Sequence, residues 1–201
     1  GSLLQAKNQV YLRIDYSKSN PDPGVGGSLG LYGQILAPFL GIYGHGDDDT
    51  VIIRTNSSLP HTVIETGNGD DSITLDQLKP VLSQYEGQRS SISMDGQGGS
   101  DEYLINLVGS SSYLIVINDS GTGSSDIDIL TVEATANDDQ ILIRRNFLAL
   151  INHGVDLDGD GLDDVERITY NSCNDYNSPD YRESSIENIL LNTLGGDDHV
   201  L

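Results

Sequence analysis

Two kinds of carboxylate cluster recur along this chain. The first is DLDGDGLDDVE, residues 156–166. In it Asp156, Asp158, Asp160, the carbonyl of Leu162 and Asp164 fall at positions 1, 3, 5, 7 and 9 of a calcium-type loop, with Gly161 at the position 6 bend. Hard oxygen donors at alternate positions converge on a divalent cation. Calcium suits them because it accepts mixed carboxylate and carbonyl oxygen at variable geometry, whereas magnesium demands a tight octahedron and keeps its water. Position 12, where a bidentate acid belongs, is Arg167, with Glu166 one residue early. The plain alternative, an acidic surface turn, leaves three alternating aspartates and two glycines unexplained.

The second cluster is a turn that returns six times: GHGDDD, TGNGDD, GQGGSD, GTGSSD, ANDD and LGGDD. Its candidate ligands are Asp47, Asp48, Asp70, Asp71, Asp101, Asp126, Asp139 and Asp198. Each turn precedes a short apolar run. If every coil of a repeat presents the turn at the same corner, the carboxylates line up about 4.8 Å apart along one edge. Bare carboxylates at that spacing repel, and a hard divalent cation between them reverses the sign. Glycines in the turns supply backbone angles that a Cβ disfavours. The competing reading is that these aspartates cap backbone amides, as Asp does in ordinary turns. It applies most directly to Asp138 and Asp139, whose turn has lost its glycines.

The elements that carry these turns are strands. DDDTVIIR, DDSITL, EYLINL and DDQILIR are rich in β-branched residues and bounded by Gly, Asn and Asp. In VYLRIDY, Val10, Leu12 and Ile14 point one way. Residues 76–90 break the pattern and are expected to hold a short helix before Gly87. Spacing from Asp48 to Asp71, Asp101 and Asp126 is irregular but stays within one solenoid coil with insertions. Each unit is too small to bury its own apolar face, so the units must stack. The expected architecture is all-β: a right-handed parallel β-solenoid, β-helix or β-roll-like, of about six to eight coils with irregular length. It forms one domain over residues 3–201, with the loop at 156–167 and the segment 170–185 as an excursion.

GNGDDSIT resembles the GGxGxDxUx nonapeptide of RTX (hemolysin-type) calcium-binding proteins. Gly67, Gly69, Asp71 and Ile73 fall on its second glycine, third glycine, aspartate and apolar positions. Gly44, Gly46 and Asp48 match likewise. GQGGSDEYL and GTGSSDIDI carry one extra residue, and LGGDDHVL one fewer. No two nonapeptides are adjacent here, so the resemblance implies fewer, more widely spaced calcium sites than the family's compact roll. DxDGDGxxD in turn resembles the loops of dockerin-type and thrombospondin type 3 calcium modules. Together they imply a calcium-dependent structural segment of a large secreted or cell-surface bacterial protein. Its partners are calcium ions and neighbouring repeats of the parent, and it folds or rigidifies when calcium binds.

Composition narrows the remaining classes. The chain has 201 residues, 31 acidic against 10 basic, and a formal net charge of -21. Such charge argues against nucleic acid and anionic membrane surfaces as partners and favours cations. No stretch reaches the apolar length of a membrane span. Cys173 is the single cysteine, so no internal disulfide forms and no nucleophile motif surrounds it. There is no GxSxG elbow, and His45, His61, His153 and His199 show no metal-ligand spacing. No catalytic residue is assigned. Arg144 and Arg145 are expected one exposed and one packed. An adhesion or carbohydrate-binding module is the alternative, and it requires exposed tyrosines, for example around Tyr170, Tyr176 and Tyr181. A polysaccharide-acting domain, or self-processing at Asp22–Pro23, ranks below it.

Overall fold

The computed structural model describes residues 3–15, 25–54, 59, 61–76, 78, 91–121, 123, 125–156, 159, 161–170 and 185–201. All regular elements among them are strands. In chain order they are β1 (Leu3–Gln5), β2 (Gln9–Arg13), β3 (Ser28–Leu31), β4 (Gln34–Leu36), β5 (Phe39–Tyr43), β6 (Thr50–Arg54), β7 (His61–Glu65) and β8 (Ser72–Asp76). There follow β9 (Ser91–Asp95), β10 (Glu102–Asn106), β11 (Leu114–Ile117), β12 (Ile129–Glu133), β13 (Gln140–Arg144), β14 (Phe147–Asn152), β15 (Asp164–Tyr170), β16 (Asn188–Asn192) and β17 (His199–Val200). The helix expected before Gly87 falls on residues outside those described, as do Asp22–Pro23, Cys173, Tyr176 and Tyr181.

From β5 to β12 the chain alternates between two sheets. One has nine strands in the order β17-β13-β14-β15-β11-β9-β7-β5-β2, the other six in the order β16-β12-β10-β8-β6-β3, and β1 and β4 form a separate pair. Pairing is parallel except around β14. This is an all-β fold of mostly parallel sheets in a repeated pattern, consistent with a β-solenoid or roll-like architecture. The alternation read from the sequence explains it. In the six-stranded sheet Val51, Ile73, Tyr103 and Leu130 stack in register, and Ile53, Leu75, Ile105 and Val132 form the next column. In the nine-stranded sheet Leu40, Thr62, Ile92, Ile115 and Ile168 do the same. The apolar members of both sheets belong to one buried cluster. Columns of β-branched and apolar side chains are what pleated, two-residue alternation delivers when strands pair without slippage.

Two features depart from the sequence reading. ILIRRNFLALIN is a hairpin: β13 pairs antiparallel with β14, and β14 antiparallel with β15. Only Arg145 and Asn146 join β13 to β14, and so short a link cannot make a parallel crossover. Consequently β15, beyond the acidic loop, takes the place beside β11. Both Arg144 and Arg145 are exposed, where one packed arginine was expected. The acidic turns also do not share one corner. Those at 44–49, 66–71, 96–101 and 118–128 lead from the nine-stranded sheet to the six-stranded one. Those at 134–139 and 193–198 lead back.

The last coil is open. Ile189 is in register with buried Leu130, and Leu191 with buried Val132. Yet Ile189 is 39% exposed, and Leu190, Leu194 and Val200 are exposed beside it. No helix among the described residues is long and apolar enough to cross a membrane.

Candidate metal centre

The first corner is organised by the acid immediately before each strand of the six-stranded sheet. Gly27 N–H donates to Asp49 Oδ1 at 2.6 Å, Asp49 N–H to Asp71 Oδ1 at 2.7 Å, and Asp71 N–H to Asp101 Oδ1 at 2.8 Å. Asp101 N–H donates to Asp128 Oδ1 at 2.9 Å and Asp128 N–H to Glu187 Oε2 at 2.9 Å. Steps along the ladder are therefore 22, 22, 30, 27 and 59 residues. The count from Asp48 and Asp126 thus follows residues one and two places off the true register, which runs through Asp49 and Asp128. A second, outer row is shorter: Asp70 N–H donates to Asp48 Oδ1 and Ser100 N–H to Asp70 Oδ1, both at 2.9 Å.

Each carboxylate in the inner row thus spends one oxygen on an amide of the preceding coil. That is how the row tolerates like charge: an amide dipole is aimed at every acid. The other oxygens of Asp49, Asp71 and Asp101, all Oδ2, are buried and have no hydrogen-bond donor. Burial pushes Asp71 up to about 6 and Asp128 up to about 7. Burial likewise pushes Asp101 up to about 8, against the amide of Asp71 and with Asp119, Asp71 and Asp128 adding repulsion.

Glycine has two separate reasons to be here. Gly69 has φ +132°, a region L side chains rarely adopt. Gly96 is needed for space, since a Cβ would lie 2.0 Å from Asp101 Oδ2 and 2.7 Å from the Tyr103 hydroxyl. Two backbone carbonyls of these turns are engaged between coils: His45 O accepts from Asn68 N–H, and Gly67 O from Gly98 N–H.

The fourth turn differs. In the column where successive coils place Gly44, Thr66 and Gly96, the register continues to Asp119. This brings a second carboxylate into the corner, so Asp101, Asp119 and Asp128 each present an oxygen within 4.8 Å of the others. All three are buried, Asp101 to 1% exposure. Asp119 is fixed on both sides, accepting from the Tyr103 hydroxyl at 2.7 Å on Oδ2 and from Gly121 N–H at 3.0 Å on Oδ1. The Tyr103 hydroxyl itself accepts from Gly96 N–H at 2.7 Å. Burial raises Asp119 as well. Three buried carboxyls this close cannot all stay ionised without a cation, so the corner holds protons or a metal ion. An oxygen-only donor set of this kind suits a hard divalent cation.

Of the residues singled out from the sequence, only Asp101 lies in this triad. Asp71 is its neighbour on the ladder. Asp48 and Asp70 are exposed in the outer row, Asp47 lies beside them half-buried, and Asp126 folds over Gly123 outside the triad. Asp139 and Asp198 sit at the opposite corner, where Asp139 N–H donates to Asp198 Oδ1 at 3.0 Å. Asp139 is engaged within its own turn: Oδ2 accepts from Thr135 N–H and Oδ1 from the Thr135 hydroxyl, both at 2.8 Å. Asp49, Asp119 and Asp128 were missed. The signal for Asp49 and Asp128 is adjacency to the strand, and for Asp119 it is the position just after β11 where other coils carry Gly or Thr.

The loop at 156–167 is partly described; Asp158 and Asp160 lie outside. Asp156 Oδ1 accepts from Gly159 N–H at 2.7 Å and Oδ2 from Gly161 N–H at 3.0 Å. Leu162 is exposed, and Asp164 opens β15, buried. Glu166 does not serve the loop. It turns inward, where Oε2 accepts from Val108 N–H at 2.9 Å, and burial pushes it up to about 7. His153, without an evident partner in the sequence, pairs with Asp163 at 2.8 Å. No protein-family model, no curated protein and no solved structure matches this chain.

Proposed function

We propose that this chain is a calcium-dependent structural repeat module of an RTX-like kind, part of a larger secreted or cell-surface protein, and that its sheets close into a parallel β-solenoid. Calcium binds at Asp101, Asp119 and Asp128 and rigidifies the corner. The observation that carries this is Asp101 Oδ2, buried and without a donor, beside two further buried carboxyls within 4.8 Å. The DxDGDGxxD loop is a second site, with Asp156 as its first ligand. Support there is the spacing of the acids, together with the amides of Gly159 and Gly161 that already hold Asp156. A neighbouring repeat covers β16 and β17. Exposure of Ile189, at a position buried in the four coils from β6 to β12, supports that partner.

The test is calcium titration by calorimetry on chelator-stripped protein, with thermal unfolding followed in parallel. Saturable binding with a rise in Tm, reduced by one ion in Asp119→Asn, is expected. No heat and no change in Tm would mean that the corner holds protons only, and the calcium reading would fall.

A further inference from the structure

The outer face of the first coils carries a feature that the acidic turns do not explain. Strand alternation turns Val10, Leu40 and Ile64 inward, which leaves Tyr11, Phe39, Tyr43 and His61 on the opposite face of β2, β5 and β7. The corresponding outward positions of β9 are Ser91, Ser93 and Asp95, so the aromatic patch is confined to one end. Ring centroids are 5.7 Å apart for Tyr11 and Phe39, 6.1 Å for Tyr11 and Tyr43, and 5.6 Å for Phe39 and His61. Gly41 lies between them. A Cβ there would come within 2.7 Å of Tyr43 Cε2 and 2.9 Å of Tyr11 Cδ1, so glycine lets both rings settle onto the strand.

Tyr11 and Tyr43 then form two walls of a cavity of about 420 Å³, completed by Arg13, Ile14, Gly44 and His45. Tyr11 remains 56% exposed, its hydroxyl donating to Gln9 Oε1 at 2.8 Å. Exposed aromatic rings rimmed by hydrogen-bonding groups around a concavity of this size mark a binding site.

We propose that this platform binds a neutral saccharide. A pyranose ring has an apolar C–H face that stacks on an aromatic ring and a rim of hydroxyls that exchange hydrogen bonds with groups such as Gln9, Arg13 and His45. The chain's net charge of -21 repels uronates, sulfated glycans and nucleotides. The platform lies two coils from Asp101, and its test does not depend on the calcium reading.

The experiment is affinity electrophoresis of the full chain in native gels containing soluble β-glucan, galactomannan or starch, each run with calcium and with chelator. The chain has 10 tyrosines and no Trp, so tyrosine emission during titration with the matching oligosaccharide gives the affinity. Retardation by at least one neutral polysaccharide is expected, weakened roughly tenfold in Tyr11→Ala and in Tyr43→Ala. Tyr32→Ala, an exposed tyrosine outside the platform, leaves it unchanged, and unaltered circular dichroism of the Tyr11 variant excludes misfolding. Absence of retardation in all three gels overturns the proposal. So does binding that survives Tyr11→Ala, or retention confined to a sulfated or uronate polysaccharide.

Discussion

The two acidic corners of this molecule read alike in sequence and behave differently in structure. At the corner of Asp138, Asp139, Asp197 and Asp198, carboxylates accept amides from the neighbouring coil, and Asp139 closes its remaining valence on its own turn through Thr135. At the corner of Asp71, Asp101 and Asp128 the same amide ladder leaves one oxygen of Asp71 and of Asp101 unmet, and Asp119 adds a further buried carboxyl. An acidic turn is thus a backbone cap by default. The Asp101 corner departs from that default because a further buried acid enters from the adjacent strand end.

Breaking the ladder at Asp101 has the largest expected effect. Asp101→Ala removes the acceptor of the buried Asp71 amide and opens a void, which lowers unfolding free energy by about 3 kcal/mol. Asp198→Ala, where the side chain is half-buried at the opposite corner, lowers it by about 1 kcal/mol. Urea unfolding of both variants checks this, and equal losses would erase the distinction between the corners.

Next in size is the exchange of charge at Asp119. Asp119→Asn keeps an acceptor for Tyr103 or Gly121 but removes one like charge. Metal-free protein at about pH 8 should gain roughly 1 kcal/mol, while the rise in Tm on adding calcium should shrink or vanish. A merely structural role for Asp119 predicts instead a loss of stability of the same size with and without calcium.

The same corner sets a pH dependence. Asp71, Asp128 and Asp101 have folded pKa values near 6, 7 and 8, raised from about 3.9 in an unfolded chain. The folded state therefore binds more protons than the unfolded state between these limits, and stability falls as pH rises. That stabilisation is complete below about pH 4 and is lost as pH climbs through 6 to 8. In chelator the denaturation midpoint should drop steadily across this window; with saturating calcium it should stay level, because the cation replaces the protons and binds more tightly as they leave. A midpoint that rises with pH in chelator contradicts the buried, proton-holding corner.

Much of this was legible in the residues. Period-two runs of Val, Ile and Leu between Gly and Asp clusters specify short strands, and recurrence of the clusters specifies stacking. Strand Thr50–Arg54 falls where the alternation puts it. Register was less legible, because a run such as Asp47-Asp48-Asp49 offers three acids, and only pairing across coils selects the one beside the strand. Which corner a turn occupies depends on how many strands precede it, and the hairpin at Arg145 and Asn146 carries no glycine to announce itself. Asp119 was hidden for a related reason: it stands outside the glycine-acid motif, and its partnership with Asp101 and Asp128 exists only after coils of unequal length are laid on one another. Tyr170, read as a possible exposed ligand-binding tyrosine, is buried and donates to Arg144 O at 2.8 Å; the antiparallel insertion that covers it was not visible in one dimension.

The smallest effect is expected at Asp139, and it tests the comparison most selectively. Asp139→Asn preserves the shape of the side chain and an acceptor oxygen, so one of the two bonds from Thr135 survives and the loss should be about 1 kcal/mol or less. Its calcium response should match that of the parent chain, since among the described residues no group of three acids gathers around it. Were calcium bound at both corners, the variant would lose part of the calorimetric heat, as is expected of Asp119→Asn. Parallel titrations of the two variants therefore separate a chain in which every acidic turn is a cation site from one in which a single corner, made by an extra buried carboxyl, differs from its amide-capping relatives.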